Sequence, residues 1–440
     1  MQISGRYVLG LDLGTSGCRA VAIGTGGNVL AQAGTGLPAP LSPEPGWAEQ
    51  DPEIWWEAIR RVLTQIASAL PGCRLLGMAV DGTSGTVLLA DGMGHPLGAA
   101  LMYHDRRAIQ AAAAIAALAP ADSPARGPSS SLAKLLHLSA ALADRHPSTA
   151  RVLALHQADW ISGRLCGSFG HSDWNNCLKL GYDAERRQCP DWLAPLVPGW
   201  VTLPTVHAPG RPIGFLDAAL AAEFGFSGET RICAGTTDST AAVIAALADQ
   251  GELRPGLAVT SLGSTLVLKI VAERPITSTE HGVYSQRLGD FWLVGGASNC
   301  GGAVLRPFFS VKEIVALSAR LDTRQPTGLD YYPLPSIGER FPRADPHLAP
   351  RLEPRPAERQ RFLQGLLEGM AAIEAEGYRL LAALGAPQPS RIVSIGGGAA
   401  NPAWTDLRTQ ALGIPVTAAA QQEAAYGAAR LALSGCLGRV

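Results

Sequence analysis

The sequence predicts an α/β chain of two domains, and three observations carry that prediction. Its 440 residues exceed what one ordinary core organises; at ~100–200 residues per domain they fit two large domains or three small ones. Apolar strand-like runs alternate with stretches of helical periodicity and with tight hairpins, which is the pattern of α/β folds. A unit of strand, Gly-Thr/Ser turn and strand occurs in both halves, which suggests a duplicated domain.

The first half opens on strands over 7–11 and 18–23, joined by Asp12-Leu-Gly-Thr-Ser-Gly17, and Gly24-Thr-Gly-Gly-Asn28 turns the chain into a third strand at 29–31. Gly and Asn supply the positive φ that such turns need. Residues 55–70 carry apolar side chains at helical spacing, with the Trp55–Trp56 pair expected in the core. Residues 75–80 read as a buried strand ending at Asp81. Helices are expected over 108–118 and 132–143, split by a Pro/Ser/Gly segment at 120–131. Prolines 190, 195, 198, 204, 209 and 212 loosen the chain, and a domain junction is expected at the end of that stretch, giving domains 1–229 and 230–440.

The second half repeats the scheme. A short strand at 231–234 stops at Gly235-Thr-Thr-Asp238, followed by a helix over 239–248. Strands at 257–260 and 266–271 flank Ser261-Leu-Gly-Ser-Thr265. A strand at 391–395, the turn Gly396-Gly-Gly398 and a helix over 404–411 complete the pattern.

Composition excludes several classes. Lys+Arg 36 against Asp+Glu 37 leaves a net charge of −1 with no long block of either sign, so no nucleic-acid or anionic-membrane partner is expected. A hydrophobic fraction of 47% with 17% charged residues excludes large-scale disorder. No run of ~18 apolar residues occurs, so no spanning helix is expected. Met1-Gln-Ile-Ser-Gly-Arg lacks the basic and apolar regions of an export signal. The eight cysteines show no C-x-x-C pair and read as reduced packing residues of a cytoplasmic protein. The nine histidines include no H-x-x-x-H pair, and His171 and His207 read as surface or loop residues.

The Gly/Thr/Ser turns carry the chemistry. Asp12-Leu-Gly-Thr-Ser-Gly17 points N–H groups and hydroxyls into one concavity that suits phosphate oxygens. Its carboxylate would repel phosphate unless it addresses a Mg²⁺ on it; the alternative is a plain Asx-type hairpin turn. The turn at 261–265 has the same composition, and two such hairpins facing a cleft would clamp a polyphosphate. Val393-Ser-Ile-Gly-Gly-Gly-Ala-Ala-Asn401 nearly matches the dinucleotide fingerprint, but it lies late in the chain and lacks the acidic partner. Asp12, Asp81 and Asp238 all end strands beside such turns. Each is an N-cap or turn residue, or, for Asp238 and equally for Asp81, a general base aimed at a hydroxyl. Gly82-Thr-Ser-Gly85 is not G-x-S-x-G, so a hydrolase elbow is not supported.

Gly10-Leu-Asp-Leu-Gly-Thr-Ser16, Gly235-Thr-Thr-Asp238, Thr260-Ser-Leu-Gly-Ser264 and Gly396-Gly-Gly-Ala-Ala-Asn401 stand in the order of the FGGY carbohydrate kinases, and Glu423-Ala-Ala-Tyr-Gly-Ala-Ala429 resembles that family's closing helix. The resemblance spans 8–433. It implies two ribonuclease-H-like domains of the actin, hexokinase and Hsp70 type with a catalytic cleft between them. The segment 81–89, which opens on Asp81-Gly-Thr-Ser-Gly-Thr86, together with 129–135, 157–160, 176–182, 234–239, 258–269, 295–303 and 328–341, resembles the short D-ribulose kinases of cyanobacteria and plants. Tyr103-His-Asp-Arg-Arg107 keeps Asp and Arg of a family motif but has Tyr where Trp is usual, so Tyr103, Asp105 and Arg107 are not assigned sugar contacts.

That resemblance implies ATP and Mg²⁺ as cofactors and D-ribulose as the small-molecule partner, in a monomer or homodimer. It implies a sugar site of Asp12, Ser16, Gly17, Cys18, Arg19, Ser84 and Asp238, with Asp238 as catalytic base and Asp12 holding the metal. Nucleotide contacts fall on Thr15, Gly263, Ser264, Gly301, Gly397, Gly398, Asn401 and Trp404, and the C-terminal domain is expected to carry both ATP and Asp238. A kinase for D-xylulose or ribitol remains an alternative, as does a silent ATPase-clamp relative, against which retention of Asp238 argues. A Rossmann oxidoreductase is disfavoured by Gly10-x-Asp12-x-Gly14 in place of G-x-G-x-x-G.

Overall fold

The computed structural model describes residues 5–143 and 151–438. Met1–Ser4, on which the export-signal reading partly rests, lies outside them. Two compact units emerge, the first made of residues 1–245 and 423–440, the second of 246–422.

The first unit is built on a six-stranded sheet in the order Pro212–Phe215, Arg231–Thr237, Arg74–Gly82, Arg6–Leu13, Gly17–Gly24, Val29–Gly36. The last three strands are an antiparallel meander, while Arg74–Gly82 runs parallel to both Arg6–Leu13 and Arg231–Thr237. Residues of Arg6–Leu13 are buried on both faces, which explains its unbroken apolar run. Helix Pro52–Ala69 starts where Asp51 accepts from the Glu53 N–H with Pro52 in the first turn, and it buries both Trp55 and Trp56. A second sheet pairs Val87–Ala90 with Val152–His156 and sits on a separate apolar cluster that includes Leu132, Leu135 and Cys177.

The second unit repeats the topology. Its strands lie in the order Tyr284–Leu288, Phe291–Ser298, Leu266–Ala272, Leu257–Leu262, Arg391–Ile395, Val416–Ala418. Setting aside the edge strand Tyr284–Leu288, a three-strand meander is followed on its inner side by two parallel strands, as in the first unit. The duplication expected from the paired hairpins is thus present in strand order. Beneath that sheet, Arg408 is fully buried and bonds Glu374 through Nε and Nη2 at 2.5 and 2.7 Å, with Nη1 donating to Ser394 Oγ at 2.7 Å. Thr260 Oγ1 donates to the same carboxylate at 2.6 Å.

Two expectations need correction. The division falls after Ala245, inside helix Asp238–Leu247, rather than at 229/230. Strand Arg231–Thr237 bonds into the first sheet beside Arg74–Gly82, so Asp238 belongs to the first unit, not the second. In addition, helix Ala424–Leu437 returns to that first sheet. A Cβ at Gly10 would come within 1.9 Å of the Ala425 carbonyl oxygen, and one at Gly427 within 1.9 Å of that of Ala241. Glycine is what lets these backbones touch.

Candidate active site

Strand register brings the three aspartates together. Asp12 is the direct partner of Asp81 on parallel strands, and Asp81 in turn pairs with Thr236, two residues before Asp238. A bulge between Cys233 and Thr236 shifts the last residues of that strand, and Gly235 fills its tightest point, where a Cβ would sit 1.7 Å from the Val80 carbonyl oxygen. Three carboxyls therefore stand at the C-terminal ends of three adjacent strands, the edge at which open α/β sheets bind ligands.

Burial makes this cluster electrostatically costly. Asp12 is 6% exposed and Asp81 is 0%. Desolvation, with the neighbouring Asp238 and Glu423 charges, pushes Asp12 up to about 6, against the opposing effects of the Asp81 hydrogen bond and of Arg19. Asp81 is held well above the ordinary carboxyl range, first by desolvation and then by Asp12. With both groups ionised, neither Asp81 oxygen has a hydrogen-bond partner; once protonated, Asp81 donates to Asp12. Arg19 Nη1 lies 3.7 Å from Asp12 Oδ2 and 3.4 Å from Glu423 Oε2, a largely exposed bridge of small energetic weight.

A stability prediction follows from the sign of these shifts. Both folded-state values lie above the unfolded one, so the native protein retains protons that the unfolded chain has released, and stability falls as pH rises from ~4 through about 6. Asp81→Asn removes one of the two charges while keeping the shape. We expect its Tm to exceed that of the parent by a few degrees at pH 8 and by less at pH 5. Thermal melts across that range test this, and equal shifts at both pH values would refute the electrostatic account.

The remaining predicted residues of the first unit fall around this cluster, and all but one are at least partly exposed. Gly14 N donates to Gly17 O at 3.0 Å, closing the turn that presents Thr15 and exposed Ser16. Ser84 is partly buried in the loop that follows strand Arg74–Gly82. Asp238 is partly exposed, and its Oδ1 accepts from the Ser239 N–H at 2.6 Å. The exception is Cys18. Strand alternation turns Arg19 outward and Cys18 into the core, where it packs fully buried with Leu11 and Ala20, so its thiol is unavailable to a ligand. His171 and His207 also depart from expectation: they sit on the paired strands His171–Asp173 and Thr205–His207, with ring nitrogens 3.1 Å apart.

The second unit holds a pocket of about 780 Å³, a size suited to a small molecule. Gly263, Ser264, Gly397, Gly398, Asn401 and Trp404 line it, as predicted, against an apolar wall that includes Leu305, Phe309 and Ile314. The Asn401 side chain caps helix Pro402–Leu412 by accepting from the Trp404 N–H at 3.2 Å, and its Nδ2 donates to Ser318 Oγ at 2.9 Å. The Trp404 ring lies under Gly398, where a Cβ would approach it to 2.3 Å, and its buried Nε1 has no protein partner. Gly301 does not line the pocket; Gly302 does. Gly301 instead takes φ +151° where a Cβ would sit 2.6 Å from the Ser264 carbonyl oxygen, and so shapes the turn. Sequence reasoning missed Arg306, which lines the pocket and donates to Ser264 Oγ at 3.1 Å. Its one sequence signal was an arginine five residues after the glycine turn.

Residues 7–245 match the N-terminal domain of the FGGY family of carbohydrate kinases, and residues 258–436 match its C-terminal domain. The chain belongs to the FGGY family. Among FGGY relatives, it is 25% identical over 467 residues to a xylulose kinase of Escherichia coli, covering 96% of this chain and 89% of that one. It is 28% identical over 425 residues to a xylulose kinase of Streptomyces coelicolor, covering 94% and 84%. A xyloylose kinase from Brucella ovis superposes with a TM-score of 0.86 at 26% identity, over 98% of this chain and 91% of that one. These FGGY relatives carry xylulose in their names, whereas the motifs predict the D-ribulose branch. The first-unit boundary at 245 coincides with the end of the N-terminal match, whereas the C-terminal match runs on to 436 and so takes in the closing helix that packs with the first unit.

Among the described residues, no group of three or more His, Cys, Asp or Glu side chains is arranged to hold a metal ion, and no helix is long and apolar enough to cross a membrane.

Proposed function

We propose that this FGGY kinase transfers the γ-phosphoryl group of Mg·ATP to the terminal hydroxyl of D-ribulose, giving D-ribulose 5-phosphate. The observation that carries the reading is the convergence of Asp12, Asp81 and Asp238 at one sheet edge, in a chain whose other unit holds a glycine-lined pocket. Asp238 accepts the hydroxyl proton as the oxygen attacks in line, and Ser16, the Gly17 backbone, Ser84 and Arg19 hold the sugar. Trp404 and Asn401 hold the adenosine beside Gly397 and Gly398. Gly263, Ser264 and Thr15 hold the phosphates, and Arg306 adds a fixed cation on Ser264. Beside the base, positioning and charge neutralisation are the protein's main contributions, because phosphoryl transfer asks for little covalent help.

Mg²⁺ fits the first unit on one structural ground: once ionised, the buried Asp81 carboxylate has no hydrogen-bond donor on either oxygen and adjoins Asp12, so the pair favours a cation. Asp12 would hold the ion, which supplies charge neutralisation on the phosphates when bound. With the ion bound, Asp81 would stand behind it and could give up its proton to become a second negative charge.

D-ribulose is favoured by Asp81 within Asp81-Gly-Thr-Ser-Gly-Thr86. D-xylulose is the second reading, favoured by the names of the relatives. ADP release in Mg·ATP with D-ribulose, L-ribulose, D-xylulose, ribitol, L-arabinose and glycerol distinguishes them. We expect kcat/KM to be highest for D-ribulose. Preference for D-xylulose would keep the kinase and replace the sugar; ADP release that no sugar stimulates would point to an ATPase clamp.

A further inference from the structure

Lys179 has no place in the chemistry above, yet its surroundings are built with care. It lies in the short 3₁₀ helix Cys177–Leu180, which buried Asp173 anchors by accepting from the Asn175 and Asn176 N–H groups at 2.8 and 3.1 Å and from Asn176 Nδ2 at 2.6 Å. Asn175 Nδ2 donates to Thr236 Oγ1 at 3.0 Å, tying this helix to the strand that delivers Asp238. The Lys179 side chain runs along the loop after Asp81: a Cβ at Gly85 would meet Lys179 Cδ at 3.5 Å and Ser131 Oγ at 3.8 Å. Its Nζ reaches the Ser84 carbonyl oxygen at 3.4 Å, a long contact for a group with three donors.

We propose that Lys179 is a substrate-binding cation that donates to the ketone oxygen of the ketose and thereby sets its chain against Asp238. This deepens the kinase reading and rests on it. The chemistry is complementary: an ammonium only donates and a ketone oxygen only accepts, whereas every hydroxyl of a sugar does both. The surroundings are rich in unclaimed donors. Ser131 Oγ and Gln157 Nε2 are buried without protein partners, and Gln157 Oε1 is already committed to the Thr83 N–H and hydroxyl at 3.0 and 2.8 Å. Ser131 and Gln157 thus flank the same loop that Lys179 lines. Burial lowers the Lys179 pKa while the Asp238 charge raises it, so the carboxylate that takes the proton also favours the cation. A second lysine, Lys134, is spent on the Met102 carbonyl at 2.9 Å.

The test compares the full-length parent with Lys179→Met and Lys179→Arg. The readouts are kcat and KM for D-ribulose, the inhibition constant of ribitol as the polyol lacking a ketone, ATP affinity, and Tm. We expect Lys179→Met to raise KM or lower kcat for the ketose so that kcat/KM falls roughly 10–100-fold, with ribitol and ATP affinity changed less than threefold. Lys179→Arg should recover part of the loss. A ketose kcat/KM within threefold of the parent overturns the proposal. So does an equal loss for ketose and polyol accompanied by a lowered Tm, since that is the mark of a lysine that merely holds the Ser84 loop. Should the parent itself release no ADP with any ketose, the kinase reading fails first and this inference falls with it.

Discussion

Asp238→Asn is expected to lower kcat by about 10²–10⁴-fold while leaving ATP affinity within twofold of the parent. Asparagine is the informative replacement. Asp238 does local work at the start of helix Asp238–Leu247, where its Oδ1 accepts from the Ser239 N–H at 2.6 Å. The amide oxygen of Asn keeps that bond, so the helix start survives and only the ability to take a proton is lost. Asp238→Ala would remove both, adding a capping loss of about 1 kcal/mol that muddies the comparison. Single-turnover phosphoryl transfer beside equilibrium ATP binding separates the two roles. Turnover of the Asn variant within tenfold of the parent would leave Asp238 as a helix-terminal residue and send the search for the base back to Asp12 and Asp81.

The second large effect is on stability. Arg408→Leu strands the buried Glu374 carboxylate, which then keeps the Thr260 hydroxyl as a partner but loses its cation. Leaving one member of such a pair costs about 3–5 kcal/mol, which for a unit of this size lowers Tm by roughly 6–20 °C. The double variant Arg408→Met with Glu374→Met should recover most of this, because well-packed apolar residues replace a buried ion pair at little or no cost. Nucleotide binding should follow the single variant downward. Thr260 and Ser394 are direct partners in strand register, and both bond this pair. Their strands run into the turns carrying Gly263 and Gly397, so loosening the pair loosens the pocket floor. Denaturant unfolding monitored beside ATP affinity checks both statements. A single variant as stable as its parent would mean that the Glu374 carboxyl is relieved in some other way.

The parts of this molecule that were legible in the sequence are local ones. The hairpins around Asp12 and Ser264 announce themselves because the turn chemistry and the flanking apolar runs lie within about twenty residues of each other. The same holds for Asn401, which reads as a helix cap from its neighbours alone. Where the sequence misled, the cause was distance along the chain. Asp238 was assigned to the wrong unit because the strand before it pairs with Arg74–Gly82, some 150 residues earlier, and proline density pointed to a junction too soon. The fit of Ala425 against Gly10 leaves no local trace, since glycine in a strand has several possible causes. Cys18 was misjudged by proximity: it follows the phosphate-type turn by two residues, but the period of two along a strand turns it inward. Lys179 and Arg306 went unnoticed because a lone cation becomes meaningful only when its neighbours in space are known.

The return of helix Ala424–Leu437 to the first sheet has a consequence for how the protein is made. The strand carrying Asp12 is synthesised well before the helix that covers it beside Gly10, with the whole of the second unit between them. At ~5–20 residues per second, the approximately 180 intervening residues of the second unit take roughly 10–35 s to emerge. Throughout that interval the nascent first unit lacks one of its layers and exposes an apolar sheet face to the crowded surroundings of the ribosome. The second unit, by contrast, is contiguous and complete before the closing helix is made. The order of maturation is therefore inverted: the unit begun first is finished second, only once its closing helix has been made and can dock.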